Sequence, residues 1–365
     1  MSAGTENTSS ADETAELTAM ARSVFADHPA EVTEGLPETL WSTLTELGLT
    51  QLTLPEQAGG SGGTLADAAA LLLVAGEASA AVPLAETDLL GGWLLNSAGL
   101  AVPAGPLTAV ADDRAELSLG TESSGDVRVS GELRRVAWAR HATRVAVLVA
   151  DPDGGDLVLS VDPSASGVEC AGGTNLAGEP RDDVRLDVVI SAADVAKAPE
   201  GTRELLGRRA ALARALLLAG AAGKALARSI QYAGERVQFG RPISKFQAIQ
   251  QQLALAAAEL AAGRAAAEAA ARIAAASDFS GDDAGFAVAV AKARTSEAAG
   301  VIARIAHQVH GAIGFTLEHD LRLSTTRLWA WREEDGSDSY WHAAIGRRVL
   351  AEGADGLWPL LVRSS

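Results

Sequence analysis

A chain of 365 residues, 48% of them apolar, can bury a large core divided among two or three domains, which excludes an intrinsically disordered protein. Its formal charge of −17 repels phosphate backbones and anionic bilayers, so neither a nucleic acid nor a membrane is expected as a partner. Cys170 stands alone, which excludes a disulfide framework and a Cys-based zinc site and fits a reducing cytoplasm.

The opening stretch, MSAGTENTSSADETAEL, is acidic and polar and lacks the basic and apolar segments of a secretion signal, so a cytoplasmic location is expected. Residues 12 to about 98 read as helices. LPETLWSTLTELGL sets Leu36, Leu40, Trp41, Leu44 and Leu47 near helical spacing, TLADAAALLLVAGEASA repeats the pattern, and LPEQAGGSGG breaks the chain between them. From about 105 to 195, β-branched alternation takes over in DVRVSGELRRVAW, RVAVLVADPDGGDLVLSVDPS and DDVRLDVVIS. Turns are expected there at Pro152-Asp153-Gly154-Gly155 and Asp162-Pro163.

Beyond residue 200 the pattern predicts long Ala- and Leu-rich helices over 203–235, 244–277, 283–311 and 338–352. Breaks fall at Gly240-Arg241-Pro242, SDFSGDD and GAIGF. The most apolar stretch, AALARALLLAGAAGKALARSI, carries Arg214, Lys224 and Arg228 and therefore reads as a buried helix, not a membrane span. The expected fold class is α+β, with a helical domain over 1–100, a β domain over 101–200 and a helical bundle over 201–365.

GERVQFGRPISKFQAIQ (234–250) concentrates candidate binding groups at the corner between two helices. A guanidinium at Arg236 can grip a pyrophosphate, a phosphate or a carboxylate with two parallel hydrogen bonds. Phe239 offers a flat face, and Gln247 offers both a donor and an acceptor. The same residues also suit a plain corner, with Arg236 paired to a surface acid and Phe239 as a plug.

In type and order, YAGERVQFGRPISKFQAIQQQLA closely resembles the signature of the acyl-CoA dehydrogenase flavoprotein family: Tyr, Glu-Arg, Phe-Gly, Pro-Ile, Phe-Gln, Gln and Leu-Ala. The likeness continues upstream in LPETLWSTLTELGLTQLTLPEQAGGSGGTLADAAALLLVAGEASAAVPLAETDLL. Downstream, HQVHGAIGFTLEHDLRL is similar to the family's Gln-x-x-Gly-Gly-x-Gly-Phe segment. It implies an N-terminal helical domain, a middle β-sandwich or barrel and a C-terminal four-helix bundle. FAD would lie between the last two, with part of its site donated by a neighbouring subunit.

Carried onto matching positions, the resemblance implies that Arg236 contacts the FAD pyrophosphate across the subunit interface, with Phe239 and Gln247 beside it. Gln308 and Gly311 would approach the adenosine and pyrophosphate end, and Ser337 would be a small hydroxyl residue near the cofactor. The implied reaction is α,β-dehydrogenation of an acyl-CoA substrate: a carboxylate takes the α proton, a hydride passes to the flavin, and the electrons go to an electron-transfer flavoprotein. The family's usual base is the Glu of a Glu-Gly-Thr/Ser segment about twenty residues past the Gly-Phe, which places Asp335 of EEDGSDSYW as the candidate catalytic base. Glu333 or Glu334 would serve if the register slips, and a second location used by some members corresponds to Ala210. Read plainly, REEDGSD is an acidic helix start with Ser337 or Asp338 as N-cap.

The β region departs from the family pattern. The Thr-Glu-Pro and Gly-Ser-Asp segments that wrap the flavin are not intact, and only Trp138, equally suited to a core, echoes the Trp-Ile-Thr/Ser motif. The half of the site that a subunit makes for its own flavin therefore looks eroded, and the donated half kept. The resemblance thus implies a homo- or hetero-oligomer, a dimer of dimers, with a non-catalytic partner of a second acyl-CoA dehydrogenase chain as the alternative to a self-sufficient enzyme. His307 and His310 share a helix face but lack a third ligand, so no metal is expected. GGSGG follows no strand and reads as a turn. Glu268 reads as solvent-facing, and Trp329, Trp331, Trp341 and Trp358 as packing residues.

Overall fold

Three helices open the chain, α1 (Ala3–Asp27), α2 (Glu38–Glu46) and α3 (Leu65–Ala78), followed by a π-helical stretch, Glu86–Gly92, that runs into α4 (Trp93–Ser97). Eight strands come next: β1 (Leu107–Ala111), β2 (Leu117–Thr121), β3 (Val127–Ala137), β4 (Arg144–Ala150), β5 (Asp156–Val161), β6 (Val168–Ala171), β7 (Arg181–Ile190) and β8 (Val195–Lys197). The chain then forms α5 (Thr202–Glu235), a hairpin of β9 (Val237–Gln238) and β10 (Arg241–Pro242), α6 (Gln247–Ser277), α7 (Gly281–His310), α8 (Leu321–Trp331) and α9 (Asp338–Arg363), the last bent at Gly353. This computed structural model describes residues 3–30, 35–316 and 319–363. The helical, β, helical order is the one the sequence predicts. The periodicity gave no sign of α8, an eleven-residue helix whose LRLSTTRLWAW mixes strong formers with Ser, Thr and Trp; burial of Leu321, Leu328 and Trp331 holds it.

Two compact units emerge, one of residues 1–31, 65–80 and 211–365, the other of 32–64 and 81–210. In the second unit the strands form two four-stranded sheets, β1-β4-β5-β8 and β2-β3-β7-β6, antiparallel except where β1 pairs with β4. Val129, Leu133, Val147, Leu159, Val184 and Leu186 belong to one buried cluster contributed by both sheets. The run Val145 to Val149 of β4 is buried throughout, as befits a central strand covered on both faces. A bulge interrupts the β3–β7 register between Leu133 and Val136; there Arg135 takes φ 55° and its N–H donates to Asp183 at 2.9 Å.

The π-helical stretch buries an acid. Asp88 Oδ1 accepts from the Thr53 N–H at 2.9 Å and the Thr53 hydroxyl at 3.1 Å. Burial pushes the Asp88 carboxyl up from 3.8 to about 6, against the pull of those hydrogen bonds and of Arg209. Because the folded value lies above the unfolded one, the contribution of Asp88 to stability is complete below the unfolded value and is lost as pH rises through the folded one. Asp88→Asn is therefore expected to remove about 3 kcal/mol of the fall in unfolding free energy between about pH 4 and pH 7. Urea titrations at stepped pH check this, and an unchanged pH slope refutes it.

In the first unit, α3 and α5 cross in backbone contact. A Cβ built on Gly220 would lie 2.1 Å from the Leu73 carbonyl oxygen, and one on Gly76 2.3 Å from that of Leu217. α5 is long and apolar enough to cross a membrane by composition, yet 83% of its most apolar window is buried inside the protein. A core helix satisfies the same pattern.

Candidate functional site

The corner after α5 is built by local rules. The Arg236 N–H continues the helical ladder to the Tyr232 carbonyl at 2.8 Å, and the Arg236 carbonyl then accepts from the Ile243 N–H at 2.8 Å. Between them β9 and β10 pair around Phe239 (φ 50°) and Gly240 (φ 80°). Two successive positive φ values at the centre of a two-residue loop define a type I′ hairpin, whose second position suits glycine. The turn holds Phe239 92% exposed, with its ring edge-to-face on Phe246 at 6.1 Å, and Arg241 lies over the Phe246 ring at 4.5 Å. Gln247, the first residue of α6, and Arg236 are both exposed. Among the described residues the Arg236 guanidinium has no ion-pair or hydrogen-bond partner.

A ring stack joins this corner to the end of α7. Tyr232 lies on His310 at 4.5 Å, and His319 meets both rings edge-on, at 6.3 Å and 4.8 Å. Arg228 pairs with Asp320 nearby. Arg236, Phe239 and Gln247 thus share one end of the unit with Gln308, which is exposed, and Gly311, which closes α7 at φ 62° with its N–H on the His307 carbonyl. The Nδ1–H of His310 donates to the Ala306 carbonyl at 2.8 Å, leaving Nε2 as a buried acceptor without a partner. Burial lowers the pKa of both His307 and His310, which favours the neutral rings.

Asp335 and Ser337 lie elsewhere. Arg214, the α5 residue that meets Asp335, stands on the order of 33 Å along the helix from Arg236, at 1.5 Å per residue. The turn after α8 is held by two buried cations. Lys292, fully buried on α7, donates to the Ser296 hydroxyl at 3.1 Å and to the carbonyls of Arg332 at 3.1 Å and Gly336 at 2.8 Å. Burial pulls the Lys292 ammonium from 10.5 down to about 8, against the carboxylates around it. Arg214 donates to Asp335 Oδ2 at 2.8 Å and approaches Glu334 at 3.5 Å. The Trp341 indole N–H donates to the Asp335 carbonyl at 2.9 Å. An Asp335 oxygen is thus engaged by a guanidinium, and the Ser337 hydroxyl accepts from the Tyr340 N–H at 3.3 Å as the N-cap of α9.

Trp138 is a core residue, 2% exposed at φ 56°. Trp331 is buried, whereas Trp358, expected to pack, is 73% exposed, while Leu360 two residues on is a buried side chain of that last segment. Glu268 pairs with Arg264 at 2.8 Å. The half-buried Cys170 thiol is pushed up by burial, against activation as a nucleophile. Among the described residues, no three His, Cys, Asp or Glu side chains are placed to hold a metal. The sequence reading missed the pairing role of Arg214 and passed over Lys292; its available signal was an ionisable residue inside an apolar helical run.

Two family models match the chain: "Acyl-CoA dehydrogenase, N-terminal domain" over residues 11–100 and "Acyl-CoA dehydrogenase, C-terminal domain" over 183–350. The chain is 30% identical over 298 residues to acyl-CoA dehydrogenase IpdE2 of Mycobacterium tuberculosis, covering 79% of this chain and 80% of that protein. Among solved structures, the ChsE4-ChsE5 complex from Mycobacterium tuberculosis superposes with a TM-score of 0.84 at 22% identity, over 93% of this chain and 97% of that one. The Tcur3481-Tcur3483 steroid ACAD gives 0.81 at 27% identity, over 95% and 99%. With both terminal domains matched and this fold shared, the chain belongs to the acyl-CoA dehydrogenase family.

Proposed function

We propose that this chain is a subunit of an FAD-dependent acyl-CoA dehydrogenase in which it donates the α5–α6 corner to the flavin of a neighbouring chain. The observation that carries this is the exposed, unengaged guanidinium of Arg236, fixed beside a type I′ turn that projects Phe239. A diphosphate needs N–H donors and positive charge; Arg236 supplies both, and the Gln308 amide on the adjoining helix end adds donors. Phe239 offers an apolar face to a planar ring, and Gln247 a further donor and acceptor. When bound, FAD supplies the hydride acceptor, and the electrons leave to an electron-transfer flavoprotein. The residues of this chain bind and orient.

A specific observation favours the partner-subunit form of this reading. The Asp335 carboxylate, the candidate base, points along its bond to the buried Arg214 guanidinium, a geometry that stabilises the turn and leaves that oxygen unaimed at an acyl chain. Trp138 is buried in the core. The α proton of the thioester would then be taken by a sister chain. The likenesses to ChsE4-ChsE5 and Tcur3481-Tcur3483, each named for two chains, support a hetero-oligomer. We also place the protein in the cytoplasm, on the strength of its one thiol.

The test is made on the co-expressed assembly. Arg236→Glu is expected to lower flavin per chain at least tenfold, read by absorbance, while Asp335→Asn leaves turnover within about twofold. Unchanged flavin content on charge reversal overturns the shared-site reading. Loss of turnover in Asp335→Asn with full flavin would instead make this chain the source of the base.

A further inference from the structure

Away from both constellations, the first unit holds a groove of about 700 Å³ between α1 and α6, floored by α3. Ala70 and Leu73 of α3 and Ala271 and Ala275 of α6 make it apolar, and Arg22, Arg264 and Arg272 surround it. Arg22 pairs with Glu77 at 3.3 Å, and Arg264 with Glu77 at 3.8 Å and Glu268 at 2.8 Å. The Arg272 guanidinium is exposed and has no ion-pair or hydrogen-bond partner among the described residues. Three guanidiniums thus face two carboxylates here, a local reversal of sign in a chain of charge −17.

This combination selects a ligand class. The volume falls in the range of roughly 300–1,000 Å³ that small-molecule sites occupy, and the alanines of α3 and α6 offer an apolar strip, with Thr18, Glu268 and the three arginines as the polar groups of the lining. An occupant that covers this strip needs an apolar body, and the Arg272 guanidinium, unlike Arg22 and Arg264 not already paired with an acid, calls for a compact, planar anion that can take two parallel hydrogen bonds. We infer that the groove binds a medium-chain aliphatic carboxylate, its chain along the alanines of α3 and α6 and its head on Arg272. An alcohol of the same length leaves Arg272 without a counter-charge, and a cationic amphiphile meets three guanidiniums. This site stands apart from the flavin reading and does not depend on it.

Calorimetric titration of the full chain with octanoate and decanoate, below their micellar concentrations, tests the inference. Decanoate is expected to bind more tightly than octanoate by about two- to fourfold per methylene, as transfer of CH₂ out of water requires. Decanol and decyltrimethylammonium are expected to bind at least tenfold more weakly than decanoate. Arg272→Glu should weaken decanoate at least tenfold, and Ala275→Phe, at an exposed position that fills the groove, should abolish binding; both leave the helical circular dichroism unchanged. Equal affinity for decyltrimethylammonium, or undiminished decanoate binding in either folded variant, overturns the site.

Discussion

Gly220→Ala is expected to destabilise the protein by about 3 kcal/mol, a large effect for one methyl group. The added Cβ would stand 2.1 Å from the Leu73 carbonyl oxygen, 2.8 Å from the Glu77 nitrogen and 3.0 Å from the Gly76 Cα, all backbone atoms of α3. Backbone cannot rotate out of the way as a side chain can, so the two helices must separate and their shared packing is lost. An internal control lies one turn further along α5. A Cβ on Gly223 would meet only the Leu260 side chain, at 4.0 Å, so Gly223→Ala is expected to be neutral or to stabilise by up to about 1 kcal/mol through helix propensity. Urea denaturation followed by circular dichroism separates the two, and equal midpoints for the variants would show that the α3–α5 contact is looser than described.

Arg214→Met is expected to cost about 3 kcal/mol. The guanidinium is buried, and its loss leaves Asp335 and Glu334, with side chains only 25% and 15% exposed, without their hydrogen-bonded counter-ion and with Lys292 as the remaining buried cation near them. The methionine keeps most of the volume, so the loss reports on charge more than on a cavity. Replacing Asp335 by Asn in the same chain is expected to recover about 1–2 kcal/mol, because one of the stranded anions is then gone. A double-mutant cycle on unfolding free energies measures this coupling. Strictly additive single effects would mean that the Arg214–Asp335 bond contributes nothing to holding the turn.

The parts of the fold that were legible in the sequence are those governed by local periodicity. The runs that became α5, α6 and α7 show it, as does the strand pair β4 and β5 around Asp151–Gly155, where the turn residues stand between two β-branched runs. Elements held by their surroundings were not legible: α8 is short and fixed by burial of Trp331, and β6 and β8 are too short for alternation to register. The site divided the same way. Arg236, Phe239 and Gln247 lie within twelve residues, and the spacing of a hairpin and a helix start brings them to one corner. The Arg214–Asp335 bond joins positions 121 residues apart, and no local pattern reports it. Nor does any announce the Lys292 contacts to Arg332 and Gly336, which arise only when α7 packs beneath the turn.

The hairpin that projects Phe239 has a cost when the chain is by itself. Phe239 at 92% exposure and Phe315 at 71% face water in the lone subunit, an arrangement that favours self-adhesion at high concentration. If a neighbouring subunit caps those rings, as the proposed assembly has it, synthesis of this polypeptide in excess over that subunit would feed precipitates and quality-control proteolysis, and matched production of the two would follow as a physical requirement.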